Sequence, residues 1–262
     1  MSWPRIEDRR IVGGLLASLV LLAWWALWLW GKSPYGHLLL HGGNMEQHMV
    51  HMGTAHGPLF FAALFILGWT LMTVAMMLPT SSPLILLFHR LVRDRRHASL
   101  LIALLVAGYL AVWVLFGALA HLLSWTVRGA VRAVPWLSQN PWVLGSAILL
   151  VAGLYQFSSL KYSCLDKCRS PMTFIVERWR GGNEMEQSLR LGIDHGVFCV
   201  GCCWSLMLLM FAVGTGSLGW MLLLGLVMAA EKNLPWGRRL SAPLGGILIA
   251  GAAVVVLIQI RG

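Results

Sequence analysis

The sequence predicts an all-α fold, a polytopic transmembrane helical bundle of about seven spans that forms one integral membrane domain over residues 1–262. Of the 262 residues, 58% are hydrophobic and only 11% are charged, whereas a soluble domain has about 25% charged residues. The apolar residues form continuous runs and do not alternate with polar ones, which favours helices over a β-barrel. The 14 tryptophans also agree with a helical membrane protein, because Trp collects at the bilayer interface.

Seven apolar segments approach the roughly 20 residues that a helix needs to cross a bilayer. The predicted spans are residues 11–30, 58–78, 98–123, 141–160, 189–213, 218–232 and 244–260. The first span follows three arginines, as a signal peptide would. Its length, its Trp-Leu-Trp ending and the lack of a small-residue cleavage site predict a retained helix instead. The piece 83–92 is too short to span, so we expect it to lie at the membrane interface.

The distribution of basic residues predicts the orientation of the bundle. With the N-terminus in the cytoplasm and the C-terminus in the periplasm, 16 of the 20 Lys and Arg residues fall on the inner side. The four on the outer side are Lys32, Arg128, Arg132 and Arg261. This asymmetry accounts for the net charge of +10 without a nucleic-acid partner. The sequence therefore predicts a multi-pass membrane protein, with the lipid bilayer as its surroundings.

The predicted periplasmic loop 31–57 is rich in His and Met. Five of the nine histidines lie within residues 37–56. The candidate ligands are Met45, His48, Met49, His51 and Met52. Several of these are three or four residues apart, so they share one face if the segment is helical. Thioether sulfur suits Cu(I), and imidazole also suits Cu(II) and zinc. The loop is thus a candidate metal antenna; the alternative is a polar loop whose histidines are solvated or rest at the lipid headgroups.

The fifth span carries a stripe of side chains that bind soft metals. On a helix with 3.6 residues per turn, these residues recur on one face. The candidate ligands on this face are His195, Cys199, Cys202, Cys203, Met207 and Met210, with Leu206 between them and Asp194 beside the inner end. Polar and ionisable groups inside a membrane are costly and are functional candidates. We predict that the stripe faces the bundle interior, and that Gly192, Gly196 and Gly201 let another helix approach closely.

The other two cysteines, Cys164 and Cys168, follow the fourth span on the predicted inner side. Their spacing of four places both thiols on one helical face, and the cytosol would keep them reduced. A pair is incomplete for zinc, because a closed zinc site needs four ligands. They are therefore either further metal ligands or two ordinary thiols. A further candidate is Glu231, which lies near the inner end of the sixth span.

Four strings resemble a bacterial family of predicted metal-binding integral membrane proteins, domain of unknown function 2182. The strings are VAMMLP from residue 74, SLKYSCLDKCRSP from 159, GVFCVGCCWSLM from 196 and AAEKNLPWG from 229. They cover spans two to six, and C-x2-C-C-W is the most specific of them. The resemblance implies an inner-membrane protein that binds a metal but supplies no reaction. The positions that match it are Cys164, Cys168, Cys199, Cys202, Cys203 and Glu231.

The interpretation that uses all these features is copper handling: binding, transfer or delivery to a periplasmic cuproprotein. We expect Cu(I) as the metal, with zinc as an alternative and haem as a weaker one. The expected partner is a periplasmic metalloprotein, a chaperone or a membrane complex. A membrane oxidoreductase or assembly subunit that uses haem, quinone or thiol chemistry is the alternative function, although the absence of a CxxCH string excludes covalent c-type haem. The sequence predicts no catalytic residue, and a binding protein is favoured over an enzyme.

Overall fold

The computed structural model describes residues 6–32, 58–180, 182–213 and 218–261, and it confirms the all-α prediction for these residues. The helices of the described ranges are α1 Ile6–Lys32, α2 Pro58–Met76, α3 Leu78–Val92, α4 Ala98–Ala133, α5 Pro135–Gln139, α6 Pro141–Tyr155, α7 Ser159–Arg169, α8 Pro171–Arg178, α9 Glu184–Val213, α10 Leu218–Asn233, a 3-10 turn at Gly237–Leu240, and α11 Ser241–Arg261. Prolines occupy the first turns of α3, α5, α6 and α8. That position suits proline because the first-turn N–H groups have no partner within the helix.

Four of the described segments are long and apolar enough to cross a membrane: Gly13–Lys32, Ala98–Ala133, Glu184–Met210 and Gly237–Arg261. Two bent helix pairs raise this number to as many as six if each pair makes one span. The predicted sixth span forms α10, whose 16 residues are short for a full crossing. The structure therefore agrees with a membrane protein, while the predicted count of seven spans and the orientation of the termini stay predictions.

The two bent pairs are the main departure from straight spans. Helices α2 and α3 meet at 66°, and α6 and α7 meet at 63°. The first bend falls at Met77, just before Pro79 of α3. At the second bend, the hydroxyl of Ser158 caps α7 by accepting a hydrogen bond from the backbone N–H of Lys161 at 3.1 Å. Each bend turns the second helix of its pair in a new direction, towards neighbours elsewhere in the bundle.

Residues 83–92, which we expect at the membrane interface, belong to a longer packed helix, and their position relative to a bilayer stays a prediction. These residues are the main part of α3, a 15-residue helix joined to α2. Its side chains Leu84, Ile85, Phe88 and Val92 are buried in a core with residues of α4, α8 and α9. A helix joined at a bend can bury its apolar face without crossing a bilayer by itself.

Helix α9 lies at the centre of the bundle. Of its most apolar stretch, 56% is buried, against 11% for the corresponding stretch of α1. Its closest neighbour is α4, and glycines make the approach tight. A side chain at Gly192 would overlap the backbone carbonyl of Leu105, and one at Gly196 would lie 2.9 Å from Cβ of Val112. The prediction that these glycines permit close helix approach is confirmed, since only a hydrogen at Cα leaves room for the neighbouring backbone.

We expect Gly192→Ala to destabilise the protein by about 1–3 kcal/mol, because the added methyl group overlaps the backbone of α4. Thermal unfolding of the detergent-solubilised protein measures the effect. Gly251→Ala in α11 is the matched control, because nothing lies within 4 Å of its added Cβ. This control should leave the unfolding temperature unchanged or raise it, since Ala favours a helix over Gly. Equal unfolding temperatures for the two variants would contradict the α4–α9 contact.

Candidate metal site

The stripe of α9 faces the interior of the bundle, as predicted. All of its members are at most 4% exposed: His195, Cys199, Cys202, Cys203, Leu206, Met207 and Met210. On the opposite side of the helix, Val197 is 54% exposed. Burial on one side and exposure on the other result from the 3.6-residue period of a helix that packs along one face. The three thiols therefore lie in the buried interior of the protein.

Helix α7 brings the other two cysteines to this stripe. The Sγ atom of Cys168 lies 4.0 Å from Sγ of Cys202. Cys164, one turn earlier, packs against Gly201, where a side chain would place its Cβ 2.6 Å from Sγ of Cys164. Gly201 thus leaves the space that the α7 thiol occupies. The two cysteine motifs thus meet in one place, where Cys168 and Cys202, 34 residues apart in the sequence, face each other.

A thioether from a third element joins the thiols. Met77 lies at the bend between α2 and α3 and is 0% exposed. Its Sδ atom is 3.9 Å from Sγ of Cys203. We call the following set the sulfur cluster: Met77, Cys164, Cys168, Cys199, Cys202 and Cys203. All five thiols are free and all six residues belong to one buried core or pack against it.

Three polar groups contact the sulfur cluster. The Nζ atom of Lys232, near the end of α10, lies 2.9 Å from Sγ of Cys199. The hydroxyl of Tyr109 from α4 lies 3.2 Å from the same sulfur. The backbone carbonyl of Cys199 accepts hydrogen bonds from the thiols of Cys202 at 3.1 Å and Cys203 at 2.9 Å. The cluster is therefore rich in hydrogen bonds although it lies in apolar surroundings.

The sulfur cluster offers donor pairs, not a closed cage. Within the described ranges, no group of three or more His, Cys, Asp or Glu side chains could hold a metal ion. The facing pair Cys168–Cys202 and the pair Cys203–Met77 remain. Soft thiolate and thioether donors suit Cu(I), which accepts two or three of them, whereas a structural zinc site needs four ligands. The residues present thus fit Cu(I) better than zinc.

The polar residues predicted at the inner end of the stripe contact other groups. The carboxylate of Asp194 accepts a hydrogen bond from Nε of Arg178 at 2.8 Å. The Nε2 atom of His195 lies 3.1 Å from the hydroxyl of Ser81, and its ring stacks on Tyr109 with centroids 5.6 Å apart. Its Nδ1 atom is buried without a hydrogen-bond partner. These contacts place both residues one turn from the sulfur cluster, on the side away from Met207.

The predicted methionine ligands divide into two groups. Met207 and Met210 are buried in the same core as the cysteines, on the following turns of α9. The predicted loop ligands lie outside the described residues: Met45, His48, Met49, His51 and Met52. Among the described residues, the predicted stripe of candidate ligands therefore runs from His195 through the thiols to Met210.

Glu231, predicted as a ligand, belongs to a buried ion pair next to the sulfur cluster. Its carboxylate lies 2.8 Å from Nζ of Lys161 in α7 and accepts a hydrogen bond from the hydroxyl of Ser241 at 2.6 Å. Gln156 also accepts from Lys161, and Arg169 donates to the backbone carbonyl of Glu231. The carboxylate thus ties α7 to α10 and α11.

Three functional candidates emerge only from the structure: Lys161, Lys232 and Tyr109. In the sequence, both lysines are simply basic residues of the predicted inner side. Their position within or beside apolar segments was the available signal, because an ionisable group at membrane depth normally has a specific partner. Tyr109 carried no such signal, since a tyrosine in an apolar helix is common and its partner lies 90 residues away.

We expect Glu231→Gln to destabilise the protein by about 3–5 kcal/mol, because it leaves the buried ammonium of Lys161 without its counter-charge. Chemical denaturation in detergent measures this loss, and maleimide labelling of Cys168 reports whether α7 has moved. The matched control is Glu177→Gln, which removes an exposed carboxylate 3.2 Å from Lys167 and should have little effect. Similar losses of stability for both variants would contradict a stabilising role of the buried Lys161–Glu231 ion pair.

A comparison with known protein families agrees with this geometry. A family model described as PpoB2, copper chaperone, matches residues 66–255. The matched region contains the whole sulfur cluster and Lys232, and it begins after the His/Met-rich loop. No curated protein and no solved structure matches the chain. The copper-related family supports the metal-binding resemblance found in the sequence, while the designation 2182 stays a prediction. Because the match covers well over half of the chain, the protein belongs to the PpoB2 copper chaperone family.

Proposed function

We propose that this protein binds Cu(I) at the sulfur cluster, within a bacterial inner membrane, and delivers it to a periplasmic copper protein. The observation that carries the proposal is the pair Cys168–Cys202, whose sulfur atoms face each other at 4.0 Å from two different helices. Two thiolates on opposite sides of a small gap are a suitable arrangement for Cu(I). Membership of a copper chaperone family supports copper as the cargo.

Burial supports Cu(I) over Cu(II). The cysteines of α9 are at most 2% exposed and the nearby thioether of Met77 is fully buried. Apolar surroundings and sulfur donors favour the monovalent, soft ion, whereas Cu(II) prefers imidazole and oxygen donors in a tetragonal arrangement. The thiols must lose their protons when copper binds, so loading releases protons. Zinc remains the alternative metal, for which the stripe would need ligands beyond the facing pair.

The arrangement of sulfur atoms supports transfer as well as storage. Cys203 and Met77 form a second pair at 3.9 Å beside the first one. Met207 and Met210 continue the buried stripe on the next turns of α9. Thioethers bind more weakly than thiolates because they carry no charge, so a ligand gradient from Cys to Met lets copper pass between sites without deep trapping. This route from the thiols to the Met210 end of α9 is part of the proposal.

The His/Met-rich loop 31–57 completes the proposed route on the periplasmic side. Its predicted ligands are the antenna residues: Met45, His48, Met49, His51 and Met52. Thioethers do not form disulfides, so they remain usable ligands in an oxidising compartment. With the N-terminus in the cytoplasm and the C-terminus in the periplasm, this loop and the Met210 end of α9 lie on the same side of the bilayer. The copper protein that receives the ion would dock there.

We expect Cys168→Ser and Cys202→Ser each to weaken Cu(I) binding at least about tenfold, which corresponds to roughly 1.4 kcal/mol. Competition with a chromophoric Cu(I) chelator under anaerobic conditions measures the affinity in detergent, and X-ray absorption at the copper edge identifies sulfur ligands. The matched control is Ser205→Ala, which changes an equally buried residue of α9.

Unchanged affinity in both cysteine variants would overturn the thiol site. Zinc in place of copper in protein purified from its native membrane would assign the cluster to the alternative metal. A stable Cys168–Cys202 disulfide that forms during turnover, with no copper bound, would favour thiol redox chemistry.

We expect replacement of the five antenna residues by Leu and Gln to slow copper capture at limiting copper, with the saturating stoichiometry of the sulfur cluster unchanged. Stopped-flow loading of protein in lipid nanodiscs measures the capture rate, because the loop then stands free of detergent. Replacing four other polar residues of the same loop, Asn44, Gln47, Thr54 and Ser33, is the control. Identical rates in the two loop variants would show that the loop does not act as an antenna.

A further inference from the structure

Lys232 is the positively charged side chain in contact with the sulfur cluster. It lies near the end of α10 and is 6% exposed. Its Nζ atom has three neighbours: Sγ of Cys199 at 2.9 Å, Oγ1 of Thr80 at 3.3 Å and Sδ of Met77 at 4.0 Å. The hydroxyl of Thr80 donates its own proton to the backbone carbonyl of Met77, so its lone pairs face the lysine. Three acceptors around one nitrogen match the three N–H donors of an ammonium group.

The counter-charge of Lys232 comes from sulfur. The adjacent carboxylate of Glu231 already pairs with Lys161 and Ser241. Among the residues that the structure describes, the ammonium of Lys232 contacts two sulfur atoms and one hydroxyl. A buried ammonium needs a negative partner, because an unpaired charge at this depth is strongly unfavourable. The sulfur cluster therefore balances this lysine with thiolate.

We propose that Lys232 makes the sulfur cluster selective for monovalent metal ions, an inference that rests on the proposed function of Cu(I) binding. When Cu(I) binds between Cys168 and Cys202, these two thiols are ionised and Cys199 takes up one of their protons, so only one proton leaves the cluster. The two thiolates and Cu(I) then carry a net charge of −1, which the ammonium of Lys232 brings to zero. The same donors with a divalent ion and the lysine carry +1. In a buried site of low dielectric constant this remaining charge is costly, whereas in water it would hardly matter.

Charge and softness make different predictions for this cluster. A site selected only by the softness of its sulfur donors would accept Cd(II) as well as Cu(I) and Ag(I), because all three are thiophilic. A site selected by charge would accept the two monovalent ions and resist Cd(II). A third thiolate would neutralise a divalent ion, but within the described residues no three thiols are arranged to hold one. Lys232 therefore acts as a specificity-determining residue without being a ligand.

The test compares Ag(I) and Cd(II) binding to the detergent-solubilised full-length protein under anaerobic conditions. Dithiothreitol serves as the competing ligand, because it is a dithiol without an attached cation. The variants are Lys232→Met and Lys232→Gln, which remove the charge at similar side-chain length, and Lys232→Arg, which keeps it. Size-exclusion profiles and thermal unfolding confirm that each variant is folded.

We expect the ratio of Ag(I) to Cd(II) affinity to fall at least about tenfold in Lys232→Met and Lys232→Gln, and to be kept in Lys232→Arg. A merely structural role for the lysine would weaken both metals together and leave the ratio unchanged, and that result would overturn the inference. If the neutral variants do not fold, the wild-type protein gives a second measurement. Its preference for Ag(I) must then exceed that of dithiothreitol about tenfold, and an equal preference would also overturn the inference.

The inference and the proposed function fail in different ways. A wild-type protein that binds neither Cu(I) nor Ag(I) at its thiols contradicts the proposed function. A wild-type protein that binds both ions, with the same Ag(I) to Cd(II) ratio after loss of the lysine charge, contradicts only the role of Lys232.

Discussion

The buried ion pair between Lys161 and Glu231 determines where three elements of this protein lie. Each charge at this depth requires the other, so α7 and α10 cannot separate without leaving one of them unpaired. Ser241 joins the pair through its hydroxyl, which also fixes the start of α11. Because Cys168 lies two turns beyond Lys161 and Lys232 directly follows Glu231, the ion pair positions a thiol and a cation around the stripe of α9. The Lys161–Glu231 ion pair thus holds the helices together, next to the sulfur cluster that is the candidate metal site.

Glycines and bends supply the space that this arrangement needs. Gly192 and Gly196 bring α9 against α4, and Gly201 leaves room for Cys164. The bends after α2 and α6 then turn Met77 and the α7 cysteines towards the same stripe. A straight helix presents its side chains along a line to one neighbour at a time. Two broken pairs around a central straight helix bring donors from several directions to one place, which is what a metal-binding cluster requires.

The electrostatics of the cluster follow from its depth. In water, thiols, an ammonium group and a metal ion are all screened, and charge adds little to selectivity. In the apolar centre of a bundle, the net charge of the whole group decides which ion is stable there. This links the family's copper chemistry to the observed position of Lys232 beside Cys199. In the proposed site, this charge balance is what would make a few sulfur atoms specific without a closed cage.

The sequence alone determined the helical class and the buried stripe from His195 to Met210, because hydropathy and helical periodicity are local properties that a single chain displays. Copper handling was predicted from the softness of the sulfur donors, and the family match supports it. Tertiary structure decided which residues meet. Periodicity showed that Cys202 faces inwards, but the crossing of α9 by α7 placed Cys168 opposite it. The bend at Met77 and the pairing of Glu231 with Lys161 could not be predicted from the sequence either. They depend on the angle between helices and on the cost of leaving a buried charge unpaired, and both are settled only when distant parts of the chain pack together.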